Sequence, residues 1–230
     1  MLLKIFSLTL EPADPIQFSI AELRSYFTGK LGEYTVLHKS NDDGFIHRYP
    51  AVQCKGIKNS LVVIGISQGA EVLKQLSLAE DKIMAGKNTC TILTRDAAIC
   101  REEFGISGTT NTYEFLMPWL ALNQQNQRKF YDLKGKPERD EFMQKILLKN
   151  LETLSKSLNY ITPVPITCKA KIRFRIERMD RENIMVFLGK FRTNLRIPDY
   201  FGIGQSVSQG FGTIKSIPEI PVEDDDVNMM

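Results

Sequence analysis

From its first residues the chain alternates loosely between apolar and polar positions, and residues 2–10 have the composition of a strand. The loop-forming run 11-EPADPIQ-17 follows, then Ser19 with Glu22 three positions on, a capping box that should start a helix. Ile20, Leu23, Phe27 and Leu31 place one apolar stripe along 20–31, and Gly32 stands where that helix should stop. Segments 33–40 and 45–55 read as strands around the turn-forming Asn41, Asp42, Asp43 and Gly44. The continuous apolar run 61-LVVIGIS-67 predicts a buried strand, the valine and leucine spacing of 69–84 predicts a helix, and 89–99 predicts another strand. Strand, helix, strand, strand, helix, strand is the order of a ferredoxin-like unit, here with one short extra strand before Arg48.

The second half opens with 110-TNTYEFLMPWLAL-122 and then carries the strongest helical pattern of the chain, over 138–160. Its apolar residues fall at 142, 143, 146, 147, 151, 154 and 158, with acids early and lysines late, as the helix dipole prefers. The prolines of 161-ITPVPI-166 should end it. Strands are expected at 168–178 and 184–193, then a glycine-rich segment and a last strand over 212–217, with the boundary between halves near residue 105.

Composition narrows the class. The 230 residues are 43% hydrophobic and 25% charged, values of an ordinary globular protein, and no apolar run approaches the roughly 20 residues that span a bilayer. The opening strand has no cleavage-site pattern, so a cytoplasmic protein with no membrane partner is expected. Cys54, Cys90, Cys100 and Cys168 make no C-x-x-C pair, which argues against a zinc site and leaves no metal expected. The net charge of +3 becomes +7 once Glu223, Asp224, Asp225 and Asp226 are set aside; 218–230 reads as a disordered acidic tail.

Lys169, Lys171, Arg173 and Arg175 alternate with Ala170, Ile172, Phe174 and Ile176, so one face of that strand should be a row of cations and the other a row of core residues. Such a row offers contacts to nucleic-acid phosphates without reading sequence. The segment 202-GIGQSVSQGFGTIK-215 fits G-h-G-x-x-x-x-x-G-h-G-x-h, with glycines at 202, 204, 210 and 212 and Ile203, Phe211 and Ile214 at the apolar positions. Glycines of this kind either let backbone N–H groups approach a phosphate or simply join strands. No Walker lysine follows and the dinucleotide fingerprint is absent.

The stretch 191-FRTNLRIPDYFGIGQSVSQGFGTIK-215 resembles the C-terminal signature of the CRISPR-associated endoribonucleases that cut repeat RNA, the family numbered six among the Cas proteins. The blocks 48-RYPAVQCK-55 and 62-VVIGISQGAEVL-73 resemble the N-terminal half of its b subtype, while the middle, about 75–165, carries no part of the likeness. The resemblance implies an α+β fold of two tandem ferredoxin-like (βαββαβ, RRM-like) domains, 1–105 and 106–217, the second bearing the glycine-rich loop. It implies metal-independent cleavage that needs no cofactor and leaves a 2′,3′-cyclic phosphate and a 5′-hydroxyl. The partners it implies are pre-crRNA repeats and other Cas proteins of an effector complex, with a homodimer left open.

Such cleavage asks for a base near the 2′-hydroxyl, an acid for the leaving 5′-oxygen and cations around the phosphorane. The chain has two histidines, His38 and His47, both in the region where the resemblance puts the active site. His38 matches the first histidine of an H-x-H found in relatives, whose second position is Ser40 here, and His47 stands where relatives tend to have tyrosine. A serine hydroxyl cannot replace an imidazole base, so one reading pairs His38 with His47 as acid and base, with Lys30, Lys39 or Lys55 supplying charge. Tyr49, on the strand face of Phe45 and His47, would position the ribose, stack a base or serve the core. Arg48, Lys39, Lys55, the cationic row, Gly202, Gly204, Gln205, Ser208, Gln209, Gly210 and Gly212 complete the expected RNA contacts, Gln205 and Gln209 replacing positions often basic in relatives. Three readings stand: a repeat endonuclease, a catalytically impaired repeat-RNA-binding subunit of the same fold, and an unrelated ferredoxin-like module.

Overall fold

A computed structural model describes residues 1–16, 18–30, 49–75, 81–85, 88–179 and 182–218. The expected strand 33–40, the start of 45–55, residues 76–80 of the expected second helix and the acidic tail from 219 onward lie outside the described residues. No helix among the described residues is long and apolar enough to cross a membrane.

The first sheet is antiparallel, in the order β2-β3-β1-β5-β4, from β1 (Leu2–Pro12), β2 (Val52–Ile57), β3 (Ser60–Ile66), β4 (Lys82–Ala85) and β5 (Asn88–Glu103). Helices α1 (Ile20–Lys30) and α2 (Gln68–Gln75) make β1, β2, β3 and β5 a ferredoxin-like unit, to which β4 adds an edge. The capping box forms as predicted: the Ser19 N–H donates to Glu22 Oε2 at 2.7 Å and the Glu22 N–H donates to Ser19 Oγ at 3.2 Å. The continuous run of β3 is explained by burial on both faces. Leu61 and Val63 join Phe6, Leu8 and Leu10 in a core with Leu23, Phe27 and Leu73 of the helices. Val62 and Ile64 join Leu3, Ile5 and Phe104 in a second core that continues into the other half of the chain.

One expected element is corrected: the helix expected over 69–84 is described from Gln68 to Gln75, but 82–85 form β4 instead. The outer edge of β5 supplies the reason, since Lys82 to Ala85 pair with Thr91 to Asn88 and Ile83 is buried from that strand. A leucine spacing continued by chance into a strand imitates a longer helix.

The second sheet, β7-β8-β6-β9, is also antiparallel and contains β6 (Gly105–Phe115), β7 (Cys168–Met179), β8 (Glu182–Arg196) and β9 (Ile214–Ile217). Helix α4 (Lys136–Ser157) packs on it through Met143, Leu147, Leu151 and Leu154, all at expected apolar positions. Helix α3 (Gln124–Asp132) was not expected; it buries only Phe130 and so shows no periodicity, although Asn123 caps it by accepting from the Asn126 N–H at 2.9 Å. The strand order repeats that of the first unit, but residues 197–213, with one 3₁₀ turn at Val207–Gln209, take the place of a second helix. Together the two sheets with their helices give the α+β fold of paired ferredoxin-like units.

Candidate nucleic-acid interface

The segment 197–213 lies against β2 of the first unit, and their contact is a small network of buried polar groups. Tyr49 Oη donates to the Gly202 carbonyl at 2.8 Å and accepts from the Gly202 N–H at 2.9 Å, while its ring tilts against Phe201 at 5.9 Å. Gln53 Oε1 also accepts from the Gly202 N–H, at 3.2 Å. Lys55, 0% exposed, donates from Nζ to Gln53 Oε1 at 2.8 Å and to Thr213 Oγ1 at 3.1 Å, and Thr213 Oγ1 in turn donates to the Gly210 carbonyl at 2.7 Å.

No carboxylate pairs with Lys55 among the described residues, and both of its hydrogen-bond partners there are neutral oxygens. Burial lowers its pKa from 10.5 to about 7. Desolvation likewise holds the Tyr49 phenol well above its ordinary range and pushes the neighbouring Cys54 thiol up to about 12. Lys55, expected among the RNA contacts, is placed by the structure as a buried strut between β2 and the glycine-rich segment, covered by the loop that packs on it.

The glycines are needed for close packing. At Gly212, φ is +62° and a Cβ would stand 1.9 Å from the Ile203 carbonyl oxygen; at Gly204, φ is +94° and a Cβ would stand 2.5 Å from Trp119 Nε1. Several loop N–H groups are already engaged by protein carbonyls: Ile203 by Gly212, Gln205 by Leu120, Gly210 by Val207 and Gly212 by Pro118. What the loop offers outward is Gln205 and Ser206, exposed, with Ser208 and Gln209 half-buried.

A second surface belongs to the β7–β8 hairpin. Lys169, Lys171, Arg173 and Arg175 are all exposed on one face of β7, as the alternation predicted. Register places Lys169 opposite Arg192 and Lys171 opposite Lys190, so β8 doubles the row, both partners exposed. Glu114 and Lys215 continue the Lys171–Lys190 level across β6 and β9. Arg175 is paired with Glu177, whereas Lys169, Lys171, Arg173 and Lys190 form no ion pair among the described residues. Lys190 and Arg192 were missed, although the alternation of β8 carried the same signal.

The opposite face of β7 departs from expectation. Ala170 and Ile172 pack on the core, but Phe174 and Ile176 are 43% and 49% exposed. β7 is an edge strand, and the helix layer ends near Phe174, where Lys136 and Met143 share a cavity wall with Ile172 and Phe174. Lys30 closes α1, its ammonium 5.6 Å from the Tyr26 ring centre, just before the segment that carries the histidines. His38, Lys39, Ser40, His47 and Arg48 lie outside the described residues.

Comparison with known proteins bears on this architecture. The model of the Cas6b N-terminal domain matches residues 1–103 and that of the Cas6b C-terminal domain matches 105–217. A crystal structure of Cas6b is 29% identical with a TM-score of 0.82, and one of the CRISPR RNA processing endoribonuclease Cas6b is 27% identical with a TM-score of 0.73; each match covers 94% of this chain and 100% of the other. An uncharacterized protein of Methanocaldococcus jannaschii is 33% identical over 127 residues, 51% of this chain and 80% of its own length. With both family models matched end to end along the two sheets, the chain belongs to the Cas6b family.

Proposed function

We propose that the protein cuts CRISPR repeat RNA without a metal, by attack of a ribose 2′-hydroxyl on the adjacent phosphorus, leaving a 2′,3′-cyclic phosphate and a 5′-hydroxyl. Membership of the Cas6b family supplies the reaction class, a CRISPR RNA processing endoribonuclease. The observation that carries the RNA reading is the two-strand cationic face of β7 and β8, whose six exposed cations suit a run of phosphates.

In this reading one histidine removes the 2′-hydroxyl proton and the other protonates the departing 5′-oxygen, a division suited to imidazoles near neutral pH. His38 and His47 are assigned these roles, with Lys30 and Lys39 supplying positive charge to the phosphorane and Arg48 holding a flanking phosphate. Tyr49 acts through the protein: its hydroxyl is occupied by Gly202, so it fixes the glycine-rich segment whose outer residues Gln205, Ser208 and Gln209 face the RNA. A second reading, a non-cleaving repeat-binding subunit, is favoured by Ser40 in the H-x-H position.

The test incubates labelled repeat RNA with the wild type, His38→Ala and His47→Ala in EDTA, scoring retention and cutting separately. The account expects one cut by the wild type and losses of cutting, on the order of 100-fold or more, with binding kept in each variant. Tight binding with no cut by the wild type selects the non-cleaving subunit instead.

A further inference from the structure

The end of the helix layer that leaves Phe174 half-exposed also forms a cavity of about 450 Å³ between α3, the start of α4 and β7, away from the glycine-rich segment. Its floor is ring-lined. Phe130 and Phe187 are buried there, and Phe174 meets Phe130 edge-on at 5.3 Å, with Ile172 and Met143 beside them. Its rim is cationic, with Lys134, Lys136, Arg139 and Arg173 against the one lining carboxylate, Asp140. Lys134, Lys136 and Arg173 pair with no carboxylate among the described residues. Arg139 lies over the Phe130 ring at 5.3 Å and donates to the Leu133 carbonyl at 3.2 Å, but its buried Nε has no partner.

An apolar ring-lined floor under a cationic rim suits a flat, weakly polar group joined to an anion. A free phosphate would leave the floor unused, and a purely apolar ligand would leave Lys134, Lys136 and Arg139 unused. The volume lies within the ~300–1,000 Å³ of small-ligand pockets. Arg173 marks where the two surfaces meet: β7 is an edge strand, Arg173 carries the cationic row on one face, and the same stretch of strand lines the cavity with Ile172 and Phe174 on the other. An RNA strand that follows the row and turns round the open edge of β7 meets this cavity on the far side, where Lys134 and Lys136 supply positive charge.

We infer that this cavity takes one unpaired nucleotide of the bound RNA, its base against Phe174 and its phosphate at Lys134 and Lys136, with the preceding phosphates on the β7 row that ends at its edge. The inference rests on the RNA reading of the cationic face and adds a position at which a base is gripped. Base–aromatic contacts of this kind are sequence-tolerant and strengthen binding by on the order of tenfold per base.

The test is an abasic scan. Repeat RNAs, each lacking one unpaired base, are titrated against the wild type and against Phe174→Leu, which keeps apolar packing and removes the ring. One position should weaken wild-type binding about tenfold when its base is missing and have little effect in Phe174→Leu. Lys134→Ala with Lys136→Ala, both at exposed positions, should weaken every RNA alike and flatten the salt dependence. If intact repeat RNA binds the wild type tightly but no abasic position couples to Phe174, the cavity holds no base and the RNA reading survives. If the wild type retains no repeat RNA, both readings fall together.

Discussion

Replacing Lys55 by methionine should change how stability depends on pH, and the sign follows from burial. With a folded pKa of about 7 against 10.5 for the free side chain, the unfolded chain holds a proton that the folded chain has released between those values. Stability of the wild type therefore rises with pH through this window, by about 2 kcal/mol between pH 7 and pH 9 from the linkage relation. Below pH 7 the folded amine also protonates and the slope fades. Cys54, held up to about 12, stays a thiol throughout. Lys55→Met keeps most of the volume and leaves Gln53 Oε1 with the Gly202 N–H and Thr213 Oγ1 with the Gly210 carbonyl, so no oxygen is orphaned. Urea unfolding followed by circular dichroism at pH 6, 7, 8 and 9 would measure both proteins, and their difference cancels whatever the rest of the chain titrates. Parallel curves for the two proteins would refute the buried, unpaired lysine.

Three further outcomes are expected. Tyr49→Phe should lower stability by about 1–3 kcal/mol in the same unfolding assay, because it removes both hydroxyl bonds to the Gly202 backbone. Gly212→Ala, with φ at +62° and a carbonyl 1.9 Å from the new Cβ, should cost more than about 1 kcal/mol, whereas Gly108→Ala, which meets nothing within 4 Å, should be close to neutral. Lys171→Ala with Arg173→Ala should weaken repeat-RNA binding and lower the slope of log affinity against log salt by roughly 1–2, read from filter binding at several salt concentrations.

Much of the fold could be read from local pattern because the responsible physics is local. The Ser19–Glu22 box, the two-sided burial of β3 and the apolar stripe of α4 each left a mark within a few residues. Helix α3 left almost none, since one buried phenylalanine makes no period, and β4 was hidden because its identity as a strand comes from pairing with β5. The site divides in the same way. The cationic alternation of β7 was legible, and that of β8 equally so, because strand period assigns a face. The burial of Lys55 was not, since the loop that covers it comes from residues 197–213, far along the chain. The glycine motif was visible as a motif, but its close contacts with Trp119 and Ile203 depend on the folded arrangement.

The most direct test of the central claim is a repeat RNA with a single 2′-deoxy substitution at the nucleotide 5′ to the cut, incubated with the wild-type protein in EDTA beside the all-ribose repeat. The account predicts that both RNAs bind alike, that the all-ribose repeat yields one product ending in a 2′,3′-cyclic phosphate, and that the substituted repeat is not cut. Cleavage of the substituted RNA at the same position would contradict attack by the 2′-hydroxyl and with it the proposed chemistry.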